Sequence, residues 1–201
     1  MELVVIDGLD ASGKSTQAEM LVGHLRSLGK TCLLRTHPSD DNFFGVRSRE
    51  YLYIEGRKAH IAAALFYMVD VIRSVVLYSW RRVDYVVFVR YLMGTAYLPN
   101  PLHKLGYHFF ARIMPKSRRM FYLNISPGEA FRRIAASRER RERFEKPSEL
   151  MKISRKALEL ARQKPWIVLD GDRSVDAIHD EIKSLMGFVR PRRPAQVPCR
   201  A

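Results

Sequence analysis

Apolar residues fall along this chain in short solid runs, separated by longer stretches of helical spacing. Leu3-Val4-Val5-Ile6, Thr31-Cys32-Leu33-Leu34, Tyr85-Val86-Val87-Phe88-Val89, Met120-Phe121-Tyr122-Leu123-Asn124-Ile125 and Trp166-Ile167-Val168-Leu169-Asp170 are nearly continuous rather than alternating. Strands covered on both faces of a parallel sheet have this pattern. Between the first two runs, Met20, Leu21, Leu25 and Leu28 share one helical stripe, and Gly29 is placed to end it. Ile61, Leu65, Met68, Val69, Ile72 and Val76 predict one long helix from Arg57 to about Arg81, with Asp70 and Arg73 spaced to pair along it. Shorter helices are predicted over Arg47–Ile54 and His103–Met114, with Ser39–Gly45 a polar loop before the first of them. Ser126-Pro127-Gly128-Glu129 reads as a capping box opening the next helix. Pro147–Ala161 and Val175–Met186 complete the helices. Strand, helix and strand within the first thirty-odd residues make a βαβ unit, so the expected class is α/β with five parallel strands between helices.

The turn after the first strand is the most informative stretch. Gly8-Leu9-Asp10-Ala11-Ser12-Gly13-Lys14-Ser15-Thr16 fits G-x-x-x-x-G-K-[ST], entered from a strand and left into a helix. Glycines at both ends let successive backbone N–H groups face a phosphate, and the new helix adds its positive end. Lys14 can reach outer phosphates, and the Ser15 hydroxyl can hold a magnesium ion. The expected ligand is therefore a purine nucleoside triphosphate. Gly8, Ala11, Ser12, Gly13, Lys14, Ser15 and Thr16 are the residues around it, in a three-layer sandwich of the P-loop NTPase type.

Composition narrows the picture. At 201 residues, 47% apolar and 28% charged, the chain suits one packed domain burying about 70% of its extended surface. That domain is expected over 1–190. No run of 18 uncharged apolar residues exists, so no membrane span is expected. A first strand so close to Met1, and only Cys32 and Cys199 as cysteines, lead to the expectation of a cytoplasmic protein without leader or disulfides. The net charge of +14 could serve nucleic acid. Its distribution argues otherwise: seven cations fall between Arg132 and Lys146, and four arginines follow Gly187. The first cluster, with almost no apolar content, is expected to be a mobile lid over roughly 137–147 whose arginines meet a transferring phosphoryl group. The second, with its prolines, is a basic tail over 191–201 expected to be disordered.

In order and spacing, nearly the whole chain resembles the thymidylate kinases, and most closely their archaeal branch. The resemblance implies transfer of the γ-phosphoryl group of ATP to dTMP with Mg2+, usually by a homodimer. It implies that Asp10, two after the first glycine, approaches the sugar hydroxyl of the monophosphate. Thr36-His37-Pro38 resembles a loop whose arginine holds the acceptor phosphate, here nearest to Arg35. Leu65-Phe66-Tyr67-Met68-Val69-Asp70 resembles the segment whose aromatic stacks on thymine, giving Phe66 or Tyr67 that place. The base-reading arginine four residues further on is missing, and Arg73 is the nearest substitute. Val89-Arg90-Tyr91 resembles Asp-Arg-Tyr, so Arg90 should clamp the acceptor phosphate, and Ala96-Tyr97 brings Tyr97 against the deoxyribose. The Asp of that motif is Val89, which leaves Asp7 as the candidate to help hold the metal. Glu142-Arg143-Phe144-Glu145 resembles the lid signature and makes Arg143 the catalytic arginine, with Arg138 second and Arg133 along the phosphates. Asp170-Gly171-Asp172 resembles the turn bordering adenine and places Asp172 there. Two alternatives stand beside this: a kinase for another deoxynucleoside monophosphate, or a catalytically weak nucleotide-sensing or nucleic-acid-associated protein on the same scaffold.

Overall fold

A computed structural model gives the fold and describes residues 1–54, 56–137 and 147–188. The strands are β1 (Glu2–Gly8), β2 (Cys32–Thr36), β3 (Tyr85–Val89), β4 (Met120–Asn124) and β5 (Trp166–Asp170). The helices are α1 (Lys14–Ser27), α2 (Phe43–Leu52), α3 (Arg57–Tyr78), α4 (Leu102–Ile113), α5 (Pro127–Ser137), α6 (Pro147–Ala161) and α7 (Val175–Leu185), with a 3-10 turn at Met93–Tyr97. The sheet runs β2-β3-β1-β4-β5, and every pairing is parallel.

Alternation along β1 builds both cores at once. Val5 points to the layer formed with Met68, Val71, Tyr107 and Leu160, from α3, α4 and α6. Val4 and Ile6 point to the layer of Leu21, Leu25 and Ile178, from α1 and α7. Burial on both faces explains why the strands are continuous in sequence. The crossover leaving β1 runs one way, to β2, and the one leaving β3 runs the other way, to β4, so a crevice opens at the carboxyl ends of β1 and β3. Four segments meet there: the turn after β1, Thr36–Pro38 after β2, Arg90–Tyr97 after β3, and Asn124–Ser126 after β4.

Three local expectations change. The polar stretch before α2 is partly helical, because the Asn42 side chain accepts from Phe44 N–H at 3.0 Å and Gly45 N–H at 3.2 Å and starts the helix early. The capping box of α5 is half formed. Ser126 Oγ accepts from Glu129 N–H at 3.4 Å, but the Glu129 carboxylate turns to Arg132 and Arg133. The Ser126 N–H goes to Asp172 instead. Asp70 does not pair with Arg73: its buried carboxylate accepts from Ser39 N–H at 2.7 Å and Asn42 Nδ2 at 2.8 Å, holding the β2–α2 connection on α3. Residues 58–78 are long and apolar enough, by length and composition, to cross a membrane, yet one face of this helix packs on the sheet. Most of the expected lid, Arg138, Arg143 and the 191–201 tail lie outside the described residues.

Candidate active site

Steric demand explains the first glycine of the turn after β1. A Cβ on Gly8 would lie 2.6 Å from Ser12 Oγ and 2.7 Å from Leu123 O, so only glycine lets the turn fold back against β4. Ala11 and Gly13 both take left-handed backbone, at φ 60° and 86°. Lys14 then opens α1, whose first turn carries no acidic residue to offset its positive end. Ser12 is buried and its hydroxyl has no partner among the described residues, which suits a ligand oxygen. Ser15 and Thr16 are exposed on the first turn.

The buried charges of the crevice converge on one carboxylate. Asp10 Oδ1 takes an ion pair from Arg90 and lies 3.3 Å from Lys14 Nζ, while Oδ2 accepts from Tyr97 OH at 3.0 Å. Burial opposes ionisation of Asp10, but the charges of Arg90 and Lys14 outweigh it and hold the carboxyl well below its ordinary range. Lys14 also donates to Leu9 O at 2.7 Å. Its ammonium is brought down to about 8, first by burial and then by repulsion from Arg90, against the pull of Asp10 and Asp7.

Arg90 sits at φ 60°, a strained conformation for a non-glycine residue. Its neighbours hold it there. Its N–H donates to Ile6 O at 3.2 Å, and its carbonyl lies 2.9 Å from His37 Nδ1. Burial drives the His37 imidazole down to about 4, so it is neutral near pH 7. Asp7 completes the clamp. One oxygen accepts from Gly8 N–H at 2.9 Å, the other from Tyr91 N–H at 2.8 Å and Met93 N–H at 3.2 Å. Asp7, expected to help hold a metal, is instead fully turned to backbone that fixes the Arg90 segment.

Beside this cluster opens a pocket of about 350 Å³, lined by Asp10, Thr36, Arg49, Tyr67, Arg90 and Tyr97 among others. Of the two aromatic candidates, Tyr67 lines it. Its hydroxyl donates to Tyr91 O at 3.1 Å, and its ring lies against Gly94, where a Cβ would come within 2.3 Å of Cε1. Phe66, one residue earlier, faces α2 and stacks on Tyr51 with ring centroids 5.7 Å apart. Arg35 is directed elsewhere as well. It grips Asp41 with two bonds of 2.6 Å, donates to Ser74 Oγ and lies over the Tyr78 ring. Arg73 is not among the residues lining the pocket. The cation the sequence reading missed is Arg49, from α2, which donates to Pro38 O at 2.9 Å on the pocket wall. Arg49 lies in a stretch read only as a short helix, and no motif marked it.

On the far side of the turn, Arg133 Nη1 approaches Ala11 O at 3.4 Å from α5. Asp172 accepts the Ser126 N–H and so ties the turn after β5 to the start of α5. No group of three His, Cys, Asp or Glu side chains suited to a metal occurs among the described residues. Mg2+ takes most of its ligands from water and substrate phosphate and needs only one or two from protein, so the exposed Ser15 hydroxyl fits such an ion.

Comparison with known proteins agrees with this geometry. The thymidylate kinase family model matches residues 6–182. The thymidylate kinase of Leptospira borgpetersenii is 31% identical over 186 residues, covering 89% of each chain. A probable thymidylate kinase of Metallosphaera sedula is 28% identical over 172 residues, 85% of each. Relatives also come from a yeast and from Plasmodium falciparum, so nothing singles out the archaeal branch that the sequence resembled. A solved thymidylate kinase of Candida albicans shares the fold, with a TM-score of 0.70 over 92% of this chain and 91% of that one at 18% identity. A phosphate-binding turn facing a pocket with its own buried arginine, and a family match across nearly the whole chain, lead to one conclusion: this chain is a nucleoside monophosphate kinase belonging to the thymidylate kinase family.

Proposed function

We propose that the enzyme transfers the γ-phosphoryl group of ATP to dTMP, giving dTDP. The observation that carries this reading is the meeting of Lys14 and Arg90 on the single carboxylate of Asp10, at the border between the phosphate-binding turn and the 350 Å³ pocket. Two cations on either side of one point are what in-line transfer between two phosphates requires. In this reading the amides of the Gly8–Ser15 turn hold the donor phosphates, and Lys14 leaves Leu9 O to reach them. Gly8, Ala11, Ser12, Gly13 and Thr16 shape that cradle, and Asp172 borders the adenine. Arg90, assisted by Arg49, holds the acceptor phosphate. Tyr67 meets the planar base, Tyr97 the sugar, and Asp10 the sugar hydroxyl. Mg2+, bound through Ser15 and the phosphates, neutralises charge and fixes phosphate geometry. Arg143, with Arg138 second, supplies the lid cation that neutralises the moving group.

An ADP-release assay over all nucleoside monophosphates tests the reading, with dTMP expected to give the highest kcat/KM. Absence of acceptor-dependent turnover would overturn it and favour a nucleotide sensor, a reading motivated by Val89, which is wholly buried where the family motif has a carboxylate. Preference for another deoxynucleoside monophosphate would shift the acceptor alone. That second reading is favoured by α3 offering, among its described side chains, His60, Ala63, Ala64 and Tyr67 to the pocket and no arginine. The enzyme also works as a homodimer paired through α3 in this reading, because Leu65, Val69 and Val76 stand exposed in an uncharged row. Sedimentation velocity of wild type and Leu65→Glu tests that pairing.

A further inference from the structure

Behind the acceptor pocket, on the outer face of the molecule, α4 and the turn before β5 enclose a second recess of about 280 Å³. Its rim carries His108, Arg112, Lys116 and Lys164, all exposed, and no carboxylate lines it. None of these four forms an ion pair with the described residues, whereas Lys104, one helical turn before His108, pairs with Glu159 at 2.5 Å. His108 and Arg112 are four apart on α4 and so fall in line, and Lys116, beyond the end of the helix, lines the same recess.

The floor supplies an independent sign. Tyr107 lines the recess, is only 2% exposed, and its phenol oxygen accepts from Trp166 Nε1 at 2.7 Å. Indole nitrogen can only donate, so the phenol proton has no acceptor among the described residues. Burial pushes this phenol up, so it keeps that proton at neutral pH. Three cations and an imidazole without a carboxylate around one recess, with Tyr107 in its lining, call for an anion with several oxygens. A carboxylate could engage one or two of these groups. A phosphate ester or condensed phosphate carries charge and oxygens enough for all of them, and the volume admits it.

We propose that this recess is a second phosphate-anion site, formed by Tyr107, His108, Arg112, Lys116 and Lys164 and separate from the turn after β1. The neighbouring row of Leu105, Phe109 and Ile113 is exposed at 68, 60 and 54%, so the phosphate can come from a free polyphosphate or from a lipid headgroup.

The experiment uses Trp166 as reporter, with the other tryptophan removed by Trp80→Phe. Inorganic tripolyphosphate is titrated at low salt, and vesicles of phosphatidylglycerol in phosphatidylcholine form a second arm. A saturable change in Trp166 emission is expected, retained in Lys14→Ala, weakened at least tenfold in Arg112→Glu/Lys116→Glu, and weakened with rising salt. Both replaced residues are exposed, and an unchanged melting temperature confirms folding. Arg112→Ala provides a milder variant with a smaller expected loss. Response to tripolyphosphate assigns a free phosphate, and charge-dependent cosedimentation with vesicles assigns a headgroup. The proposal is overturned if neither probe acts, if the double variant responds like wild type, or if Lys14→Ala abolishes the response, which would assign it to the turn after β1.

Discussion

Replacing Asp7 by asparagine separates two jobs that a carboxylate at the end of β1 could do. Asparagine keeps the shape but offers one acceptor oxygen and an amide donor. Asp7 serves Gly8 N–H with one oxygen and the Tyr91 and Met93 N–H groups with the other. The best placement of asparagine keeps its oxygen on Tyr91 and Met93 and sets its NH2 against the Gly8 N–H. One hydrogen bond to a charged acceptor is lost, at about 1.5–3 kcal/mol, and the other two weaken as the acceptor becomes neutral. The expected loss is about 2–4 kcal/mol, or roughly 5–15 °C in melting temperature for a domain of this size. Function should fall with it in a particular pattern. Tyr91 and Met93 follow directly on Arg90, whose φ of 60° persists only while its surroundings enforce it. The acceptor KM should therefore rise about tenfold, with the ATP KM changed much less.

Thermal unfolding, steady-state kinetics in both substrates and a magnesium titration read these effects together. A metal ligand would give the opposite signature: little change in melting temperature and a large increase in the magnesium concentration required. That outcome would refute the assignment of Asp7 as a positioning residue for the Arg90 segment.

Three other expectations follow from the same geometry. Lys14, at about 8 in the free protein, first through burial and then through Arg90, should be drawn back up when phosphates add negative charge beside it. ATP binding near pH 8 should then take up about half a proton, and near pH 6.5 almost none, measured by calorimetry in buffers of different ionisation enthalpy. The sign for stability is set by the same depression: between about 8 and the ordinary 10.5 the unfolded chain binds the extra proton, so Lys14's contribution to stability grows as pH rises through that window. Arg49→Ala should raise the acceptor KM about tenfold, the loss of one charge-assisted contact. Arg35→Ala should leave that KM within about twofold while lowering stability by about 1 kcal/mol or more, because its partners are Asp41, Ser74 and the buried Asp70. Equal kinetic losses in both would show that Arg35 also meets substrate. Gly94→Ala should push the Tyr67 ring into the pocket, costing about 1–3 kcal/mol, with a higher acceptor KM and an unchanged ATP KM; a neutral result would mean that Tyr67 has room to move.

What could be read in the sequence divides along a physical line. The turn after β1 was legible because its chemistry needs glycines at fixed separations, and no neighbour can relax that demand. The buried strands were legible because five parallel strands between two helical layers leave no polar face. Phe66 and Tyr67 could not be separated by spacing, since adjacent helical positions differ by about 100° and the register of α3 on the sheet is not in the local pattern. Gly94, nearly thirty residues away, decides it by admitting the Tyr67 ring. Arg35 was drawn toward the acceptor by its place at the carboxyl end of β2, yet Asp41 lies six residues further along a loop that curls back on it. The direction of Asp7 depends on how the chain leaves β3, which becomes visible only when both strand ends are side by side.

The charge arrangement ties these residues into one device. Lys14 and Arg90 would repel one another across a low-dielectric crevice, and Arg90's charge does depress Lys14. Asp10 offsets that repulsion in the free protein by lying between them, and Tyr97 OH occupies its second oxygen. Phosphates entering from either side supply the negative charge that Asp10 now provides. In the proposed reading each cation then turns outward to its own phosphate, and Asp10 becomes available to a sugar hydroxyl. One buried carboxylate holds both cations in the free protein, and in that reading the strained backbone of Arg90, clamped by Asp7 and His37, sets the side from which the acceptor approaches.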